Sequence, residues 1–368
     1  MDVLARAHAL EAAGRRVIHM EIGEPDFGAP PQVAAAAVRA LAEGRTSYTA
    51  ALGLPELREA IAAYHRERLG EPVEAASVAV SAGASGGLLL ALALYVDPGD
   101  EVLVPDPGYP GYRHFVRAFE GRAVPLALQA ASGFQPTLEM VRAAWGPRTL
   151  GLVLGSPSNP TGTLIAAAEL ARIAEFVAGR GGVLVLDEVY RGLVYAPPEP
   201  APRLPGEVVR IGSFSKYFCM TGWRLGWVRL PEARTRDFEK LAQHLFISPS
   251  ALAQHAALAA FLPETLAVLE ARRAEFRRRR DFLVPALERA GLRVPARPEG
   301  AFYVYADCAG VAADAKRFAL ELLEREAVAA TPGIDFGMNG TRRCVRFAYT
   351  RAMADLEEAA RRLERFCG

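Results

Sequence analysis

Lys216 lies in SFSKYFCMTGWRLGW, Ser213 to Trp227, and is one of three lysines among the chain's 43 basic residues. Lysine and arginine serve a solvated surface about equally, but only lysine can shed its proton and become a nucleophilic amine. A chain that takes nearly all its positive charge from arginine and keeps a lysine here is expected to use that amine on a carbonyl. Lys240, in RDFEKLAQHL, and Lys316, in ADAKRFALEL, fall on helical patterns and are expected to be solvated.

Four other features could build a ligand site around such an amine. The turn SAGASGG, Ser81 to Gly87, follows a strand-like run and opens a helix-like one. Its backbone N–H groups and the positive helix end could hold an anion, and a tight structural turn is the plainer alternative. It is neither G-x-G-x-x-G nor G-K-[ST], so a dinucleotide or P-loop reading fails at the motif. Asp187 ends the apolar run VLVLDEVY, where a carboxylate needs a cationic partner unless it caps a helix. Asn159, in SPSNPTG, follows another strand end and could equally be an Asx-turn residue before Pro160. Arg224 carries a planar fork of donors that suits a phosphate. An anion cup, a carboxylate, an amide, an amine and a guanidinium together suit an aromatic aldehyde with a phosphate arm.

The elements that must position these groups follow from hydrophobic period. Strands are expected at 78–81, 101–105, 123–128, 149–155, 183–188, 208–213 and 225–230, with helical patterns between many of them. Near-continuous apolar strands separated by helices indicate an α/β fold with a mostly parallel seven-stranded sheet between helices, and its ligand site at the carboxyl ends of the strands. After Pro231 the pattern is helical through Glu288, then returns to short strands at 301–307 and 343–349, with helices around Phe318 and Leu356. That segment is expected to form a smaller α+β domain with the N-terminus. The expected division is 27–275 for the large domain, and 1–26 with 276–368 for the small one. No internal repeat is visible.

Composition sets limits on partners. With 368 residues, 51% hydrophobic, 23% charged and a net charge of +1, the chain has no electrostatic reason to bind nucleic acid or an anionic membrane. The run Arg277 to Arg280 is expected to be a solvated helix face rather than a nucleic-acid patch. The Pro-rich stretch 196–207 reads as a rigid surface loop. The longest apolar run, LLLALALYV, is about half of what a membrane span requires. The start, MDVLARAHALEAAGRR, is a charged amphipathic helix pattern without a signal-peptide core. Cys219, Cys308, Cys344 and Cys367 are scattered, with neither a disulfide framework nor a metal spacing, so a cytoplasmic location is the default and no metal is expected.

The pattern S-x-S-K-x-x-x-M-T-G-W-R-x-G is matched from Ser213 to Gly226. With it the chain resembles the pyridoxal-phosphate aminotransferases of class I/II, the fold-type-I family typified by aspartate aminotransferase. The resemblance runs from IGEPDF, at 22–27, to VRFAY, at 345–349. It implies that Lys216 holds pyridoxal 5'-phosphate as an aldimine and later moves the substrate's α-proton. It implies that Asp187 pairs with the pyridine nitrogen, that Asn159 and Tyr190 hydrogen-bond the ring 3-oxygen, and that Tyr109 stacks on the ring. Gly83, Ala84, Ser85, Ser213 and Arg224 would hold the phosphate, and Tyr48 would reach the phosphate of a second copy, which makes a homodimer the expected partner. Arg346 would grip the substrate's α-carboxylate, and Gly23 would let the backbone approach it. Lys216, Asp187 and Tyr190 are then the expected catalytic residues. Cys219 is expected to be packing.

The implied activity is transfer of an amino group from an L-amino acid to a 2-oxo acid, with 2-oxoglutarate or pyruvate as acceptor. Two departures bear on it. The chain starts close to the helix that follows an N-terminal arm in relatives, so part of a lid over the substrate is expected to be missing. Ser85 stands where one branch of aspartate-using relatives carries a lysine, which weakens an aspartate assignment. A C–S lyase acting by β-elimination would share the same cofactor shell. A cofactor-sensing transcription regulator would need an added DNA-binding segment ahead of IGEPDF, where only 21 residues stand.

Overall fold

The computed structural model describes residues 2–196 and 202–368. The chain opens with α1 (Asp2–Ala12), β1 (Ile18–His19), α2 (Pro31–Ala42) and α3 (Pro55–Leu69). Proline heads α2 and α3, where its missing N–H has no intrahelical partner to lose and its fixed φ already suits the helix. The alternating region follows: β2 (Val78–Ser81), α4 (Gly83–Tyr95), β3 (Glu101–Asp106), α5 (Gly111–Ala118), β4 (Arg122–Ala127) and α6 (Leu138–Ala144). It continues through β5 (Thr149–Gly155), α7 (Ala167–Gly179), β6 (Val183–Asp187), β7 (Glu207–Ser213) and β8 (Gly226–Arg229). Of the Pro-rich stretch, residues 197–201 lie outside the described residues.

These seven strands form one sheet in the order β2-β8-β7-β6-β5-β3-β4. β8 runs against both its neighbours, and every other adjacent pair is parallel. Side chains alternate between two apolar clusters, as the two-residue period of a strand requires. Leu152, Leu154, Leu184 and Leu186 join Val141 of α6 and Ile173 of α7. Val153, Val185, Val209 and Ile211 join Leu88 and Leu92 of α4 and Phe238. Both faces are therefore covered, which is why the strands read as continuous apolar runs.

Beyond the sheet come α8 (Thr235–Phe246), α9 (Ala251–Leu258) and the 27-residue α10 (Pro263–Arg289). The remainder is β9 (Tyr303–Asp307), α11 (Ala315–Glu326), β10 (Val328–Ala329), β11 (Thr331–Pro332), β12 (Cys344–Ala348) and α12 (Met353–Cys367). β11, β12 and β9 make an antiparallel sheet, and β1 pairs in parallel with β10. The pairing of β1 with β10, two strands of two residues each, was not expected, because such short strands carry no period of their own. It ties the N-terminal segment to the C-terminal third of the chain.

The arginine run on α10 departs from a fully solvated face. Arg277 and Arg278 are exposed, but Arg279 and Arg280 are buried. Arg279 pairs with Asp26 at 2.8 Å and lies over Phe27, while Arg280 lies 4.8 Å from the Tyr195 ring centroid and donates to the Pro298 carbonyl. A flat, weakly hydrated guanidinium can be buried against an aromatic face when its donors are met, and charge counting along the sequence cannot see those faces. No single helix among the described residues is long and apolar enough to cross a membrane.

Candidate active site

The carboxyl ends of β2, β3, β5, β6 and β7 deliver their following turns to one cavity of about 310 Å³. Of the residues expected at the site, all but Gly83 and Tyr48 line it. Arg346 comes from β12 and Gly23 from the turn after β1, so both parts of the chain contribute walls.

Lys216 stands in the turn after β7. The fully buried Phe214 anchors that turn in the core, and the Ser215 N–H donates to Ser213 Oγ at 3.0 Å. Lys216 Nζ donates to the Gly23 carbonyl at 2.7 Å. Burial lowers this amine from 10.5 to about 8, and the nearby Arg346 and Arg224 act in the same direction against Glu24 and Asp187. Lys240 and Lys316 are both exposed.

At the start of α4, the Ala82 N-cap makes no side-chain cap hydrogen bond, so the first-turn N–H groups have no protein acceptor from that side chain. Gly83 has φ +72°, and a Cβ there would sit 2.6 Å from an Arg224 Nη. Arg224 itself adopts φ +51°, rare for a residue with a Cβ, and donates to the Thr221 carbonyl at 2.9 Å. Helix-end N–H groups with a guanidinium against a glycine form a dianion cradle that a methyl group would fill. Ser85 and Ser213 line the same cavity.

Asp187 is buried, and its hydrogen-bond partners among the described residues are a tyrosine and a backbone N–H. Tyr112 Oη donates to one carboxylate oxygen at 2.8 Å, and the Val189 N–H donates to the other at 3.1 Å. Burial pushes this carboxyl up from 3.8 to about 6, against the pull of those two donors. A carboxylate so poorly compensated would be relieved by a protonated pyridine nitrogen.

Arg346 is buried and forms no ion pair with a carboxylate among the described residues. It donates to Asn159 Oδ1 at 2.9 Å and to the Glu21 carbonyl at 2.6 Å, while its Nε is buried without a partner. Because arginine only donates, Asn159 must turn its oxygen to Arg346, leaving its NH2 free for another acceptor. Tyr190 Oη lies 2.8 Å from Tyr303 Oη, and the Tyr303 ring lies 4.3 Å beneath the Arg346 guanidinium carbon. A Cβ on Gly23 would collide with that Tyr303 hydroxyl, so glycine lets the segment carrying the Lys216 acceptor pass close by.

Sequence reasoning did not single out Tyr112 or Tyr303. Tyr112 follows Tyr109 by three residues, in DPGYPGY, and that one-turn spacing was the available signal. Tyr303 sits in AFYVYAD among other core aromatics, and nothing in the strand period separates it from Tyr305. Cys219 is buried, and all four cysteines are free. Tyr48 lies outside the cavity and is 79% exposed.

The set fits a phosphorylated pyridine aldehyde: an anion cradle, a lone buried carboxylate, hydrogen-bond donors in Asn159 and Tyr190, and a low-pKa amine. Comparisons with known proteins agree. The family model described as aminotransferase class I and II matches residues 15–363. A valine–pyruvate aminotransferase of Mycobacterium tuberculosis is 40% identical over 366 residues, covering 99% of this chain and 94% of that protein. An aspartate/prephenate aminotransferase of Thermus thermophilus is 36% identical, covering 100% of this chain and 95% of that protein. The solved aspartate aminotransferase from Thermus thermophilus with maleate superposes with a TM-score of 0.93 at 36% identity, covering 99% of this chain and 95% of that one.

Proposed function

The chain belongs to the class I and II aminotransferases, which depend on pyridoxal phosphate, and from that premise we propose that it moves an amino group from an L-amino acid to a 2-oxo acid using the residues of this cavity. The reading is carried by one juxtaposition: an amine lowered to about 8 faces the same cavity as a buried guanidinium with no carboxylate partner among the described residues.

Bound there, pyridoxal phosphate supplies the electron sink for the pair left when the substrate's α-carbon loses its proton. Lys216 Nζ holds the cofactor and, once free, takes the α-proton and returns it, a task suited to an amine near neutrality. Asp187, steadied by Tyr112, would keep a proton on the pyridine nitrogen. Asn159 and Tyr190 would hydrogen-bond the ring oxygen, and Tyr109 would stack on the ring. Ser213, Arg224 and the backbone of Gly83, Ala84 and Ser85 would bind the phosphate. Arg346 binds the α-carboxylate and so sets the α-carbon against Lys216, with the Gly23 backbone alongside.

Lys216, Arg224 and Arg346 are the basic residues of the cavity wall, and each already has an assignment. With Ser85 in that wall, the cavity lining offers no further cation for a second carboxylate among the described residues. That favours a donor with an uncharged side chain and pyruvate as acceptor, a pairing also carried in the name of the Mycobacterium tuberculosis relative. 2-Oxoglutarate as acceptor would need a cation from a second copy.

A homodimer is part of the proposal. Exposed Tyr48 would reach the partner's phosphate, and Val38 and Leu41 of α2, 68% and 60% exposed, would be covered. We also retain two domains, 27–275 for the cofactor and 1–26 with 276–368, and a cytoplasmic site of action.

The test is the visible spectrum of the purified protein with single amino acids and no 2-oxo acid. Loss of the cofactor's band with particular amino acids, restored by pyruvate, supports transamination. Failure to take up the cofactor overturns the reading, and ammonia release with a persistent band would replace it by elimination.

A further inference from the structure

Arg346 has two routes to the groups assigned to the cofactor's ring oxygen. One is direct, through the 2.9 Å hydrogen bond to Asn159. The other is aromatic: the guanidinium lies over Tyr303, whose hydroxyl is 2.8 Å from that of Tyr190. Tyr303 is 1% exposed and Tyr190 is 5% exposed, so neither hydroxyl can be retuned freely by solvent. We propose that Tyr303 is a positioning residue that relays the occupancy of Arg346 to the Tyr190 hydroxyl, so that arrival of the substrate's carboxylate alters how firmly Tyr190 holds the cofactor's ring oxygen. The proposal rests on the assignment of Arg346 and Tyr190 given above.

The direction follows from the charges. A cation over the ring face withdraws charge from the phenol and makes its O–H the better donor of the pair. Tyr303 then donates to Tyr190, and the Tyr190 proton is left for the ring oxygen. Chains of hydroxyl groups polarise one another, so a stronger first donor strengthens the second. A substrate carboxylate on Arg346 cancels the field, Tyr303 donates less well, and Tyr190 holds the ring oxygen less firmly. The oxygen's negative charge is then less stabilised, and the proton at the nitrogen joining the cofactor to Lys216 is held more tightly.

Around Tyr303 the charged and titratable groups are Arg346 from β12, Tyr190 from the turn after β6 and Tyr109 from the turn after β3; Asp187 adds to those acting on Tyr190. Among them only Arg346 is both cationic and in reach of a substrate carboxylate. The Gly23 backbone closes against the Tyr303 hydroxyl, fixing it toward Tyr190.

The experiment titrates the visible absorbance of the cofactor-loaded enzyme against pH, with and without saturating 3-methylbutanoate, which has a carboxylate but no amine to react. In the wild-type chain the midpoint rises with the acid. In Tyr303→Phe, which keeps the ring under Arg346 and removes only the hydroxyl, that rise becomes smaller, the remainder passing through Asn159. Tyr305→Phe, which removes a buried hydroxyl from the same strand and leaves the Tyr303–Tyr190 contact in place, keeps the full rise. Adding Tyr303→Phe to Tyr190→Phe changes the rise no further, because one acts through the other.

A full rise in Tyr303→Phe overturns the relay while leaving the assignment of the site intact. An unchanged midpoint in the wild-type chain overturns both. If Tyr303→Phe takes up no cofactor, Tyr190→Phe carries the test, and a full rise there also overturns the relay.

Discussion

Lys216 is held in a state that the folded protein resists at neutral pH, and replacing it should stabilise the cofactor-free chain. The amine falls from 10.5 to about 8 on burial. Its folded pKa lies below its unfolded value, so between pH 8 and 10.5 the unfolded chain binds more protons and stability rises with pH. Below pH 8 the folded state must carry a charged, partly desolvated amine. At about 1.4 kcal/mol for each pH unit, the 2.5-unit gap amounts to about 3 kcal/mol at pH 7, about 2 at pH 9 and less than about 1 at pH 10.

Lys216→Met keeps the length of the stem and removes the charge. It also loses the hydrogen bond to Gly23, a contribution of about 1 kcal/mol for the neutral amine, the extra strength of the charged donor being contained in the pKa shift itself. The measurement is urea unfolding of both cofactor-free chains at pH 7, 9 and 10, at one protein concentration so that any association is held constant. The variant should be the more stable at pH 7, and its advantage should shrink by about 2.5 kcal/mol by pH 10. A difference between the chains that stays constant across that range would refute the claim that burial depresses this amine.

Three further outcomes test other walls of the site. Arg346→Met should lower kcat/KM for amino-acid donors by about 10- to 100-fold, with a much smaller loss of cofactor retention, because it removes charge-assisted bonds to the substrate and reaches the cofactor only through Asn159 and Tyr303; equal losses for substrate and cofactor would contradict its assignment. Tyr112→Phe removes a donor from Asp187, so the carboxyl that titrates near 6 in the cofactor-free chain should move up by about one pH unit. Cofactor uptake followed against pH should lose efficiency at correspondingly higher pH, since protonation removes the anion that meets the pyridine nitrogen. Gly83→Ala places a methyl group against Arg224 at a positive φ, and should weaken cofactor binding about tenfold, read by equilibrium dialysis, with a cost to folding of about 1–2 kcal/mol.

Much of this site was legible in the order of residues, because its parts are local. The turn after β2, the carboxylate ending β6 and the lysine turn after β7 each combine a strand end with a short polar segment. Parallel strands must point their carboxyl ends one way, so a mostly parallel set of apolar runs already implied where the cavity would be. Arg346 was identifiable by resemblance and by its apolar neighbours Val345 and Phe347.

What the chain order left open is partnership across distance. Asp187 accepts a hydrogen bond from a tyrosine of α5, 75 positions away, which its strand-end position did not reveal. Half of the Arg277–Arg280 run is buried, because α10 meets the aromatic faces of Phe27 and Tyr195, remote in sequence. Tyr303 differs from its neighbours only in what lies above and beside it. By itself the sequence determined the residue types and strand ends that make an amine-and-phosphate site, since period and turn chemistry act over a few residues. Only the tertiary structure decided which hydroxyl meets which carboxylate or guanidinium, because burial and hydrogen-bond partners depend on elements that chain spacing does not order.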